Sequence, residues 1–118
     1  MRRDPRCPLA DVDQAAADIA RFIRGMDSSD YVADALIQAA VERKFEIIGE
    51  ALNRLHYDHP EVAERIPRLR RIVDFRNFPI HAYDRVEPDR VWTHAKQDLP
   101  ELHWTAQALL AELGPLED

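Results

Sequence analysis

Eight consecutive residues, Arg76-Asn77-Phe78-Pro79-Ile80-His81-Ala82-Tyr83, bring together an arginine, a histidine and a tyrosine, with more arginines just upstream. A guanidinium grips phosphate oxygens with a planar fork and stays charged at any cellular pH. An imidazole gives or takes a proton near neutrality. Together the two groups are a minimal kit for cutting RNA without a metal. The same residues would also suit an ordinary polar helix end, because Arg and His are common on helix surfaces. The rest of the chain has to decide between these readings.

Spacing sets the geometry such a site would need. Each helical residue advances about 100°. Arg76 and Tyr83 therefore fall on nearly one line, and Asn77 and His81, four apart, are neighbours. Arg76 and His81, five apart, diverge on an ideal helix. They converge if Pro79 distorts the backbone, or if two copies of the segment meet across a two-fold axis and pool their side chains. Asn77 is placed to hydrogen-bond the His81 imidazole and fix its tautomer; it serves equally well as a turn cap.

The arginines are concentrated. Arg65, Arg68, Arg70, Arg71 and Arg76 lie within twelve residues, whereas Lys44 and Lys96 are the only lysines. The net charge is −6. Broad, non-specific nucleic-acid binders carry a basic surplus, so any RNA contact here must be local. Arg70 and Arg71 are the candidate RNA contacts beside the motif, although Arg68 and Arg71 individually also read as a solvated helix face.

The elements that must position these residues read as all-α. The chain of 118 residues suits one domain, 1–118, with a single core. Glycine occurs only at 25, 49 and 114, and no alternating apolar run reaches strand length. A first helix opens near Asp4-Pro5 and carries Leu9, Val12, Ala16, Ile19 and Ile23 on one face, ending at Gly25. Ser28 or Ser29 is expected to cap the next segment. A long helix follows, with Ile37, Val41, Phe45, Ile48, Leu52 and Leu55 on a stripe, and a break near Asp34 would separate it from a short turn. Gly49 inside it would allow another helix close approach. Pro60 and Pro67 can each open a short helix, with Leu69, Ile72 and Val73 facing inward beyond the second. Pro88 opens a last helix carrying Val91, Trp92, Ala95, Leu99, Leu102, Ala106 and Leu109, which Pro100 should kink and Gly114-Pro115 should stop. The expectation is an up-down bundle of four to five helices. No apolar stretch is long enough to span a bilayer and nothing at the N-terminus reads as a signal peptide. The single cysteine, Cys7, makes no internal disulfide, which fits a reducing cytoplasm.

The motif resembles the Arg-x4-His-x-Tyr signature of the HEPN superfamily, specifically of HepT-like toxins. Asp4-Pro5-Arg6, Phe45-Glu46-Ile47-Ile48-Gly49-Glu50-Ala51, Val91-Trp92 and Asp98-Leu99-Pro100-Glu101-Leu102 look like further HepT landmarks in the family's order, spread over nearly the whole chain. The resemblance implies a HEPN-like bundle that forms a homodimer, with a composite site at its interface. It implies a metal-independent ribonuclease toxin with no cofactor, in which His81 is general base or acid and Arg76 stabilises the scissile phosphate. It also implies regulation by a partner antitoxin, a minimal nucleotidyltransferase called MntA, which attaches AMP to the motif tyrosine, here Tyr83. Asp74-Phe75, where a Gly-Met pair is frequent, and Pro79 inside the spacer depart from the family pattern.

Other constellations are weaker. His56 and His59 suggest a metal site but lack an evident third ligand, so a polar turn is the better reading. Glu46 and Glu50 suit ion pairs with Arg43 or Arg54 better than a catalytic carboxylate pair. Trp92 and Trp104 read as core or interface rather than a base-stacking platform. The rival to a ribonuclease is a non-catalytic helical binding partner of a minimal nucleotidyltransferase; a plain structural four-helix dimer leaves the arginines and Tyr83 unexplained.

Overall fold

In a computed structural model, which describes residues 3–76 and 87–115 and only the backbone of 74–76, cap chemistry and apolar spacing divide the chain into helices. They are α1 (Arg6–Phe22), α2 (Ser28–Val32), α3 (Ala35–Asp58), α4 (Pro60–Ala63), α5 (Leu69–Arg76), α6 (Pro88–Thr93) and α7 (Leu99–Leu113). A π-helical turn, His94–Asp98, joins α6 to α7. Among the described residues there is no strand.

The Asp4 carboxylate accepts from the Arg6 backbone N–H and from its guanidinium, which closes the start of α1. Pro8 then falls in the first turn, where no intrahelical N–H is needed. The helix stops at Ile23, and Gly25 turns the chain at φ +80°. The cap of α2 is Asp27, not Ser28 or Ser29. Its side chain accepts from the Asp30 N–H while the Asp30 carboxylate accepts from the Asp27 N–H. That reciprocal pair satisfies two backbone donors at once, which a lone serine cannot do. Asp34 caps α3 through the Ile37 N–H, so the break expected there is real.

α1 packs along α3 and α7, α3 also carries α5, and α2 sits against α6. The shared core is built from Leu9, Val12, Ala16 and Ile19 of α1, Val41, Phe45, Ile48, Leu52 and Leu55 of α3, Ile72 and Val73 of α5, and Leu99, Leu102, Ala106 and Leu109 of α7. Gly49 is buried within α3. The result is the helical bundle that the sequence implies.

Three sequence expectations need correction. Pro67 does not open a helix directly. Arg68 intervenes in the left-handed region at φ 58°, and α5 starts at Leu69. Pro100 sits in the first turn of α7, directly after the π-helical turn, so the last helix changes its winding just ahead of the proline. Trp104, read as core or interface, is 70% exposed, which removes the core half of that reading. Trp92 is half-buried against Tyr31, their ring centroids 5.4 Å apart.

Among the described residues, no helix is long and apolar enough to cross a membrane.

Candidate active site

α5 carries Arg76. Ile72 and Val73, 4% and 0% exposed, fasten the helix to α3. Arg70 and Arg71 are exposed. The side chain of Arg76, together with Asn77, His81 and Tyr83, lies outside the described residues, as does any distortion at Pro79.

A ladder of ion pairs ties the arginine segment to the last helix. Arg65 meets Glu112 with both terminal nitrogens, at 2.7 and 2.5 Å. The Arg68 guanidinium meets Glu101 at 2.6 Å. Nε of Arg71 lies 3.4 Å from Oδ2 of Asp98. As the arginine numbers rise the carboxylate numbers fall, so the Arg65–Arg71 segment runs antiparallel to the π-turn–α7 segment. The Arg65 pair is bidentate but exposed, and its energetic weight is small. Its effect is visible in the Glu112 carboxyl, which the Arg65 hydrogen bonds hold below the usual range. Arg71 is about half exposed, and Asp98 engages one side of its guanidinium.

Asp98 differs from the other two carboxylates because it is buried, 7% exposed. A buried carboxylate needs partners, and it has two: Arg71 across the ladder, and Nδ1 of His94, one turn back on its own segment, at 2.6 Å. The His94 side chain is 13% exposed. The π-helical turn spans this pair from end to end, and such turns recur at functional sites. Sequence reasoning assigned no role to His94 or Asp98. The available signal was a His and an Asp four apart on one helix face.

Other candidates resolve as structural. The His59 ring meets the Arg3 carbonyl and Glu61, in keeping with a polar turn. Glu46 pairs with Arg43. Asp18, 7% exposed, collects Lys44, Gln14 and Arg21, and the Lys44 hydrogen bond leads in holding its carboxyl low. Cys7 is exposed and reduced.

The ribonuclease HepT-like family model matches residues 12–109, from within α1 to within α7. The chain belongs to the HepT-like family of the HEPN superfamily. Among its relatives, "Putative RNase MJ1380" of Methanocaldococcus jannaschii is 31% identical over 101 residues, 86% of this chain and 92% of the relative. "Probable ribonuclease HepT" of Thermococcus cleftensis is 34% identical over 102 residues, with the same coverage of each chain. "Putative RNase TTE0752" of Caldanaerobacter subterraneus subsp. tengcongensis is 28% identical over 108 residues, 92% of this chain and 96% of the relative. No solved structure matches. Ribonuclease chemistry is thus the activity attached to this HepT-like chain by its family, and the helical bundle is its frame.

Proposed function

We propose that this HepT-like protein is a metal-independent ribonuclease toxin that acts on RNA in the cytoplasm as a homodimer. The observation that carries the reading is that Arg76 stands on a helix anchored to the core by Ile72 and Val73, in a chain that belongs to the HepT-like family. An arginine on an anchored helix is a defined point at which to hold a scissile phosphate. In the reaction, His81 takes the proton of the ribose 2′-hydroxyl while its oxygen attacks phosphorus. Arg76 balances the charge that builds on the non-bridging oxygens. The P–O5′ bond breaks, leaving a 2′,3′-cyclic phosphate on one fragment and a 5′-hydroxyl on the other. DNA lacks the nucleophile and is inert in this scheme. Asn77 orients His81, and Arg70 and Arg71 hold the flanking backbone.

The toxin is silenced when a cognate MntA-like nucleotidyltransferase places AMP on Tyr83. The added phosphate is a negative charge that competes with RNA phosphate for the Arg76 guanidinium.

The test is RNA cleavage by the purified protein and by the Arg76→Ala and His81→Ala variants, with size measured by light scattering. Both variants should stay folded and lose cleavage, and the wild type should be a dimer. Full activity in His81→Ala would remove histidine chemistry from the mechanism. A folded wild type that binds a nucleotidyltransferase and cuts no RNA would instead be a non-catalytic partner.

A further inference from the structure

α1 and α7 run antiparallel. Arg6 reaches the Gly114 and Pro115 carbonyls at one end, and the His103 ring meets Asp13 at 2.7 Å further along. Next to that pair, between the C-terminal end of α1 and the π-helical turn, lies a cleft of about 400 Å³. Neighbouring helices normally interdigitate until little space is left. Here the walls carry methyl groups: Ala16 and Ala20, four apart on one face of α1, and Ala95 of the π-helical turn. Buried Ile23 and Leu99 complete the apolar lining with Pro100.

The charged groups at this cleft have one sign. Arg24, Lys96 and His103 border it, and none of its described lining residues is a carboxylate. His103 is already committed to Asp13. Arg24 and Lys96 are exposed, and among the described residues neither has an ion pair. The Lys96 ammonium lies 5.4 Å from the centroid of the Trp92 ring. That contact attracts a cation without neutralising it. The chain as a whole carries −6, so this is a local positive site on an acidic protein. A packing gap would explain the hollow. It would not explain two uncompensated cations beside it. Volume, apolar lining and a few convergent polar groups are together the marks of a small-molecule site.

We propose that this cleft binds a small amphipathic anion. Its short apolar chain or ring lies against Ala16, Ala20, Ile23 and Leu99, and its carboxylate or phosphate is held by the guanidinium of Arg24 and the ammonium of Lys96. The site is independent of the ribonuclease reading: neither Arg76 nor His81 takes part, and binding alone is measured.

The test is a fluorescence titration of the full chain with anilinonaphthalene sulfonate, an apolar aromatic body with one anionic head whose emission rises in an apolar site. Wild type should saturate at one probe per chain. Ala20→Phe fills the cleft from an exposed position, and the double variant Arg24→Glu with Lys96→Glu reverses the charge beside it. Each should weaken binding by about tenfold or more. Trp104→Ser, at the exposed aromatic of α7, should leave binding unchanged. Hexanoate and phenyl phosphate should displace the probe and hexanol should not; whichever anion acts at the lower concentration identifies the head group. Circular dichroism checks folding. Should Ala20→Phe unfold, the double variant, altered only at exposed positions, carries the test alone. The proposal is overturned if the probe does not saturate, or if a folded cleft variant binds as tightly as wild type. It is equally overturned if Trp104→Ser removes the binding, or if hexanol displaces the probe as well as hexanoate does.

Discussion

Replacing Tyr31 with phenylalanine should make the protein more stable, against the usual direction for a buried tyrosine. Tyr31 is 1% exposed, and its ring lies against Trp92, which docks α2 onto α6. Among the described residues its hydroxyl is buried without a hydrogen-bond partner. Burial, with Glu42 nearby as a lesser cause, also pushes its ionisation well above the ordinary range. A buried unsatisfied hydroxyl costs about 1–3 kcal/mol. Tyr31→Phe removes that cost and keeps the ring packing. It leaves a void of one oxygen, worth a few tenths of a kcal/mol at about 24 cal/mol per Å³. The net expectation is a gain of about 1–2 kcal/mol. For a domain of this size that raises the melting midpoint by about 3–8 °C. Differential scanning calorimetry of both proteins at neutral pH reads it directly. A Tyr31→Phe midpoint at or below that of wild type would refute the reasoning and show that the hydroxyl is paired in solution.

Three further outcomes follow from the same structure and family. Stability should fall as pH drops through the acid range. The folded carboxyls of Asp4, held down to about 2 by Arg6, and of Asp18, held low chiefly by Lys44, stay ionised where their unfolded counterparts near 3.8 have taken up protons. Their contribution is therefore complete above about pH 5 and is lost progressively as pH falls through the unfolded value near 3.8 toward the folded value, about 2 for Asp4; thermal melts from pH 6 to pH 2.5 should show this decline, with a shallower slope for Asp18→Asn, and an unchanged slope would contradict the assignment. Leu52→Ala, at a fully buried position on α3, should cost about 2–5 kcal/mol in urea unfolding, and a loss under about 1 kcal/mol would contradict the central place given to that helix. Incubation with ATP and the cognate nucleotidyltransferase should add AMP mass to wild type and not to Tyr83→Phe, which should keep cutting RNA; a silenced wild type with no added mass would make inhibition a matter of binding alone.

Much of the frame was legible from local chemistry. Asp34, Pro60, Pro88 and Gly114 each act where they stand, because caps and helix breakers depend on a few adjacent atoms. The apolar stripe of α3 was equally readable, since burial enforces helical spacing. What failed depended on choices between neighbours. Asp27 took the cap from Ser28 and Ser29 because Asp30 could reciprocate. The π-helical turn ahead of Pro100 had no signal in the apolar spacing. Each extra residue in a coil rotates everything after it by about 100°, so Trp92 and Trp104 cannot be assigned to a face by counting across the π-helical turn. The motif itself was visible as residue types. The pairings of Arg68 with Glu101 and of Arg71 with buried Asp98 were not, because only the fold brings residues so far apart in sequence together.

The central claim is that the protein cuts RNA through the substrate's own 2′-hydroxyl. It is tested most directly by one measurement: mass spectrometry of the products from an RNA oligonucleotide and from the same oligonucleotide with a single 2′-deoxy residue at the cleavage position, both in EDTA. The account predicts scission of the all-ribose strand with a 2′,3′-cyclic phosphate on the upstream fragment, and an intact deoxy-substituted strand. Cleavage of the deoxy-substituted strand, or an upstream fragment ending in a 3′-hydroxyl, would contradict it.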